Sequence, residues 1–91
     1  MKFEWDEKKA AANLGRHGVS FEEGVTTFAD WHSITVPDPD HSTGEDRYYL
    51  LGFSSRRRLL VVCHTERGEN TRIISVWRAN RRQRRQYEEG K

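Results

Sequence analysis

Apolar and polar residues alternate along Thr71-Arg72-Ile73-Ile74-Ser75-Val76-Trp77-Arg78, and the rest of the chain reads as partners for that stretch. β-Branched residues dominate it, as a half-buried strand requires. Strict alternation directs Thr71, Ile73, Ser75 and Trp77 to one face and Arg72, Ile74, Val76 and Arg78 to the other. Leu59 to Thr65 is apolar almost throughout and predicts a central strand. Tyr49, Leu51 and Phe53 alternate with Tyr48 and Leu50, predicting a strand over Arg47 to Ser54. Ile34 and Val36 predict another within His32 to Val36, and Phe3 and Trp5 allow a short one at the N-terminus.

Helical signals sit at both ends. Asp6 is placed to cap a helix running to about Arg16, with Gly18 as its stop. Ser20-Phe21-Glu22-Glu23 fits a capping box, with Glu23 reaching back. Phe21, Val25 and Phe28 then share one helical face. Asn80 caps a last helix to about Glu89. Pro37-Asp38-Pro39-Asp40, the His41 to Glu45 loop, Ser54 to Arg58 and Glu66 to Asn70 are turns. The predicted fold is α+β over residues 1–91 as one domain: two N-terminal helices, a four-stranded antiparallel meander and a C-terminal helix. Short connections make the sheet antiparallel, and the helices are expected on one face of it, in two layers.

Charge changes the picture. Residues 1–46 hold four basic and ten acidic side chains; residues 47–91 hold twelve basic and four acidic. Eleven of those twelve bases are arginine, which forks onto phosphate, so the second half is expected to face a polyanion. The plainer alternative is that the two halves neutralise each other. The single cysteine, Cys63, cannot form an internal disulfide and points to a reducing cytoplasm. No apolar run approaches a membrane span, and the N-terminus has no signal-peptide core.

Candidate chemistry is narrow. The four histidines are scattered without zinc-like spacing, and Asp38, Asp40 and His41 read as a turn before they read as a cation site. No phosphate-binding glycine loop is present, and Cys63 reads as core. No metal or cofactor is therefore expected. RNA cleavage needs less apparatus, because the ribose 2′-hydroxyl attacks its own phosphate. The protein positions the backbone, moves protons and neutralises charge. Arg47, His64, Arg72, Arg78, Glu45 and Tyr87 permit this, and would equally suit a passive RNA binder.

Phe3-Glu4-Trp5-Asp6, Lys9, Asn13, Arg16-His17-Gly18-Val19-Ser20-Phe21-Glu22-Glu23 together resemble the opening signature of the BrnT toxins of bacterial type II toxin–antitoxin systems. Phe28, Asp30, His41, Glu45, Arg47, Gly52 and Arg72-Ile73-Ile74-Ser75 extend the resemblance over nearly the whole chain. It implies a fold similar to RelE-type toxins and an RNA-cleaving activity that halts translation. It also implies a BrnA-type antitoxin that covers the toxin in a hetero-oligomer and binds operator DNA, so the toxin meets DNA only indirectly.

One departure is informative. Members of that family commonly follow Ile-Ile-Ser with a small residue and then arginine; here Val76 and Trp77 stand there, and Arg78 follows. Trp77 either weakens the toxin or stacks a base. Arg47, Arg72, Arg78, His17 and Lys9 are the expected catalytic residues of a metal-independent endoribonuclease; Arg56, Arg57, Arg58 and Trp77 are expected to meet RNA. Several plainer readings stand beside these. Arg47 and Arg72 also suit a salt bridge near Glu45, His17 a helix end, and Lys9 with Asn13 a local pair. Arg81, Arg82, Arg84 and Arg85 face solvent or an acidic antitoxin segment. The alternative function is a non-catalytic module that binds its antitoxin in an autoregulatory complex; a plain RNA-binding domain is a third.

Overall fold

The computed structural model describes residues 1–41 and 44–90, and of His41 the backbone alone. In chain order the elements are β1 (Lys2–Glu4), α1 (Glu7–His17), α2 (Phe21–Thr26) with a 3-10 turn (Thr27–Ala29), and β2 (Ile34–Pro37). After a second 3-10 turn (Pro39–His41) come β3 (Arg47–Phe53), β4 (Leu59–Arg67), β5 (Asn70–Arg78) and α3 (Arg81–Glu89). The loop expected from His41 to Glu45 falls partly outside the described residues, at Ser42 and Thr43.

The four predicted strands form the antiparallel run β2-β3-β4-β5, but the sheet is five-stranded and mixed, because β1 joins β5 in parallel. Glu4 secures that edge: its carboxylate accepts from Asn70 Nδ2 at 2.9 Å and from the Arg72 guanidinium at 2.8 Å. Those two hydrogen bonds, Asn70 first, hold the Glu4 carboxyl below its usual range. Pro37, expected as a breaker, is the last residue of β2, opposite Tyr48. Proline is tolerated there because β2 is an edge strand.

The helices do not gather on one face. Val19, Phe21, Leu50, Leu60, Val62, Ile73 and Val76 form a core beneath α1 and α2. Leu51, Leu59 and Val61, with Phe53, Trp77 and Tyr87, form a smaller one on the other face, where α3 lies. The reason is in β4, whose Leu59 to Thr65 are all buried. A strand that is apolar on both faces needs cover on both. α3 supplies the second cover through Tyr87, whose ring meets Phe53 edge-on at 5.2 Å and whose hydroxyl donates to Asp30 at 2.7 Å.

Both N-terminal caps form. Asp6 Oδ1 accepts from the backbone N–H groups of Lys8 and Lys9, and Gly18, at φ 68°, ends α1. Ser20 caps α2, but the expected reciprocal bond from Glu23 is absent. The Glu23 carboxylate turns instead to Arg58 and to the Ser54 hydroxyl (2.7 Å). A buried carboxylate gains more from a fixed guanidinium than from one backbone N–H.

Candidate functional site

Strand β5 decides which side chains meet. Cys63 stands opposite Ser75, yet His64 stands opposite Ile73, so Ile74 is an extra residue in β5. This β-bulge resets the alternation. Ile73 and Val76 consequently share the face under α1 and α2, against the strict alternation read from sequence. Trp77, opposite Val61, moves to the other face. Arg72 lies on that same open face: Arg47, Thr65 and Arg72 form one row across β3, β4 and β5, and residues directly opposite point the same way. The row places Arg47 and Arg72 one strand apart, roughly 10 Å between backbones.

The open face thus carries Arg47, Arg72, Tyr49 and Trp77. Tyr49 and Trp77 meet at 5.9 Å, near perpendicular, in a groove of about 270 Å³ lined also by Ile34, Val36, Leu51, Val61, Gln83 and Gln86. Tyr49 hydrogen-bonds the buried Asp38, which with burial pushes its hydroxyl up to about 12. Cys63 is buried beside this row and its thiol is pushed up by desolvation, as a packing residue's would be.

Arg72 is not paired with Glu45. Its partner is Glu4, while Glu45 lies 3.5 Å from Arg67. Arg78 stands opposite Leu60, on the helix-covered face, and is exposed; the fold does not bring it to Arg47 and Arg72. Arg58 is not a solvated turn residue: its guanidinium grips Glu23 through two nitrogens. Arg56 and Arg57 stay exposed at that hairpin, Arg57 in the left-handed region at φ 62°.

Lys9 and His17 do come together. They line a cleft of about 170 Å³ with Ala12, Asn13, Arg16, Ile74 and Ser75, between α1 and β5. The His17 ring lies 6.3 Å from that of Trp77, so Trp77 borders both the cleft and the open face. Asn13 makes neither a pair with Lys9 nor an open polar site. Its buried amide donates to the carbonyls of Val19 (3.0 Å) and Val76 (2.9 Å) and accepts from the Val76 N–H (3.1 Å). β1 pairs only with Asn70 to Arg72, so beyond them the side chain of Asn13 stands in for a neighbouring strand.

His64 is buried against Phe28 and Tyr48, which leaves it no access to a substrate. Tyr87 is engaged by Asp30, and burial with that bond raises its hydroxyl to about 12. Among the described residues no cluster of His, Cys, Asp and Glu suits a metal ion, and no helix is long and apolar enough to cross a membrane. The side chain of His41, named by the resemblance, lies outside the described residues. Sequence reasoning missed Tyr49, Gln83 and Gln86 as groove residues and Arg16 as a cleft residue. Only Arg16, one helical turn from Asn13 and two from Lys9 in spacing, carried a usable signal.

Fold and site define a small α+β protein whose single sheet carries α1 and α2 on one side and, on the other, α3 beside a partly open, arginine- and aromatic-bearing face. The family model for the ribonuclease toxin BrnT of type II toxin–antitoxin systems matches residues 5–83, and the chain belongs to that family. Its fold is similar to that of the Brucella abortus ribonuclease toxin BrnT, with a TM-score of 0.70 and 23% identity over 89% of this chain and 99% of that one. No curated protein matches the sequence.

Proposed function

We propose that this chain is a metal-independent endoribonuclease that halts translation by cleaving RNA, held inactive by a BrnA-type antitoxin that brings it to operator DNA. The observation that carries the reading is the row of Arg47 and Arg72 on one open sheet face, with position 77 on that same face. The scissile phosphodiester lies across this face. Arg47 and Arg72 hold its non-bridging oxygens and neutralise the charge that builds as the 2′-hydroxyl attacks. Glu4 fixes the Arg72 guanidinium through one nitrogen and leaves the fork oriented. His17, whose ring meets Trp77, serves proton transfer, and Lys9 orients the substrate. Arg78, on the other face, takes no part.

Trp77 sits where an arginine would add a third cation to that face. It offers a stacking surface for a base in exchange. The chain is therefore a weakened toxin, and Trp77→Arg is expected to raise cleavage about ten- to hundredfold, on the scale of one oriented donor to a transition-state oxyanion. The test incubates both proteins with labelled RNA in chelator and resolves products by size. Cleavage by the variant alone, or faster by the variant, supports the reading. If neither protein cuts free RNA or ribosome-bound message, the activity is not there, and the chain is a non-catalytic module that binds its antitoxin. That second reading draws on Trp77 lining an apolar groove on the open face, where a partner's side chain fits.

A further inference from the structure

The cleft between α1 and β5 has the make-up of an anion site. Lys9 and Arg16 project from one face of α1, seven residues apart, and His17 closes the end nearest Trp77. Ser75 brings a hydroxyl to its wall, only 3.4 Å from Asn13 Oδ1, too long to be a firm bond. No lining residue is acidic. Elsewhere arginines near carboxylates are taken up: Arg58 by Glu23, Arg67 by Glu45 and Arg72 by Glu4. Among the described residues, no hydrogen bond or ion pair engages the side chains of Lys9, Arg16 or His17.

We infer that this cleft binds a backbone phosphate of single-stranded RNA, adjacent to the phosphate held on the open face. The inference rests on the ribonuclease reading for its substrate. Lys9 and Arg16 grip the phosphate, with Ser75 as a neutral donor. Trp77 borders both surfaces, so a chain passing round this edge of β5 stacks one base on the indole between the two phosphates. Asn13 makes the passage possible: it satisfies the backbone of Val76 without adding a strand that would close the edge. Lys9 and Arg16 are thus anchors that set substrate length and affinity.

The experiment measures equilibrium binding of a 2′-O-methyl oligonucleotide, which cannot be cleaved, to the wild type, Lys9→Ala, Arg16→Ala and the double variant over a salt series. Arg81→Ala on α3 is the reference for general electrostatic attraction. Each cleft variant is expected to bind roughly three- to tenfold more weakly and to lose about one phosphate's share of the salt slope, roughly 0.7 for a single strand. Arg81→Ala should change both far less. Both cleft positions are exposed, so unfolding midpoints should stay put. Cleft variants that match Arg81→Ala overturn the inference, even if one of them binds an acidic antitoxin less well. A cleft effect on binding with no cleavage of free RNA or ribosome-bound message by any form, Trp77→Arg included, sinks the ribonuclease reading and leaves the cleft standing.

Discussion

Asn13 shows how one side chain can stand in for an element. Its amide makes three hydrogen bonds in a buried position, two of them to one residue of β5. Asn13→Ala would strand a buried N–H and two carbonyls. Each unsatisfied group costs about 1–3 kcal/mol, so a loss of roughly 3 kcal/mol is expected in urea unfolding, with a slope that stays unchanged. Sequence spacing placed Asn13 on a polar helical face with Lys9, but two of its three bonds reach Val76, sixty-three residues away. Nothing local could name that partner. Arg58 gives the same lesson in reverse. In sequence it is one of three arginines in a turn; in the fold its guanidinium turns inward to the buried Glu23 carboxylate, which Arg56 approaches from solvent only to 4.0 Å.

At the scale of elements, two joints govern the packing. Helix α2 approaches the sheet at Gly24, where an added Cβ would sit 2.7 Å from Val76 Cγ2 and 3.3 Å from Cγ1. Gly24→Ala improves helix propensity by about 1 kcal/mol, yet Val76 is buried and cannot retreat. A net destabilisation of roughly 1–2 kcal/mol is expected, read from the thermal midpoint. Helix α3 has no buried residue of its own and depends on Tyr87. Tyr87→Phe keeps the contact with Phe53 and loses the bond to Asp30, about 1.5–3 kcal/mol for a bond to a charged group. Faster hydrogen exchange confined to α3 is the expected sign. The helix itself was legible, since Asn80 and Gln83 form the full capping box. Its side of the sheet was not, because the sequence marks the end of β5 but not the direction of the chain beyond it.

Two buried groups, His64 and Glu23, lead the response of the whole molecule to acid, with Glu4, Asp6 and Asp30 adding to it at low pH. Burial lowers the folded pKa of His64, whose Nδ1 lies 3.5 Å from the Glu66 carboxylate, too far for a firm hydrogen bond. The unfolded chain therefore binds a proton first, near the ordinary value of 6.5, and stability falls as pH drops below it. Glu23 is held below the ordinary 4.5, chiefly by its hydrogen bond to Arg58, so its contribution is full above that value and is lost as pH falls through the folded one. Unfolding midpoints measured from pH 7 downward should decline in two stages. His64→Phe should flatten the first, and Glu23→Gln with Arg58→Met should lessen the second. A midpoint indifferent to pH between 7 and 5 would contradict the neutral, buried His64.

Four strands, three helices and their caps were readable from the sequence because each rests on local chemistry: β-branched alternation, apolar runs, Asp6, Ser20 and Asn80 at helix starts, and Gly18 at a helix end. The opening signature carried the family, since it spans the α1 cap, its polar face and the turn into α2. Tertiary structure alone decided the rest. Parallel pairing of β1 with β5 joins the two ends of the chain, and no local pattern encodes a partner so distant. The Ile74 bulge is one residue of phase, invisible to a period of two. That single residue decides whether position 77 stands with Arg47 and Arg72 or with the core beneath α1. Register is a property of paired strands, so the composition of the open face emerged only once the sheet had formed.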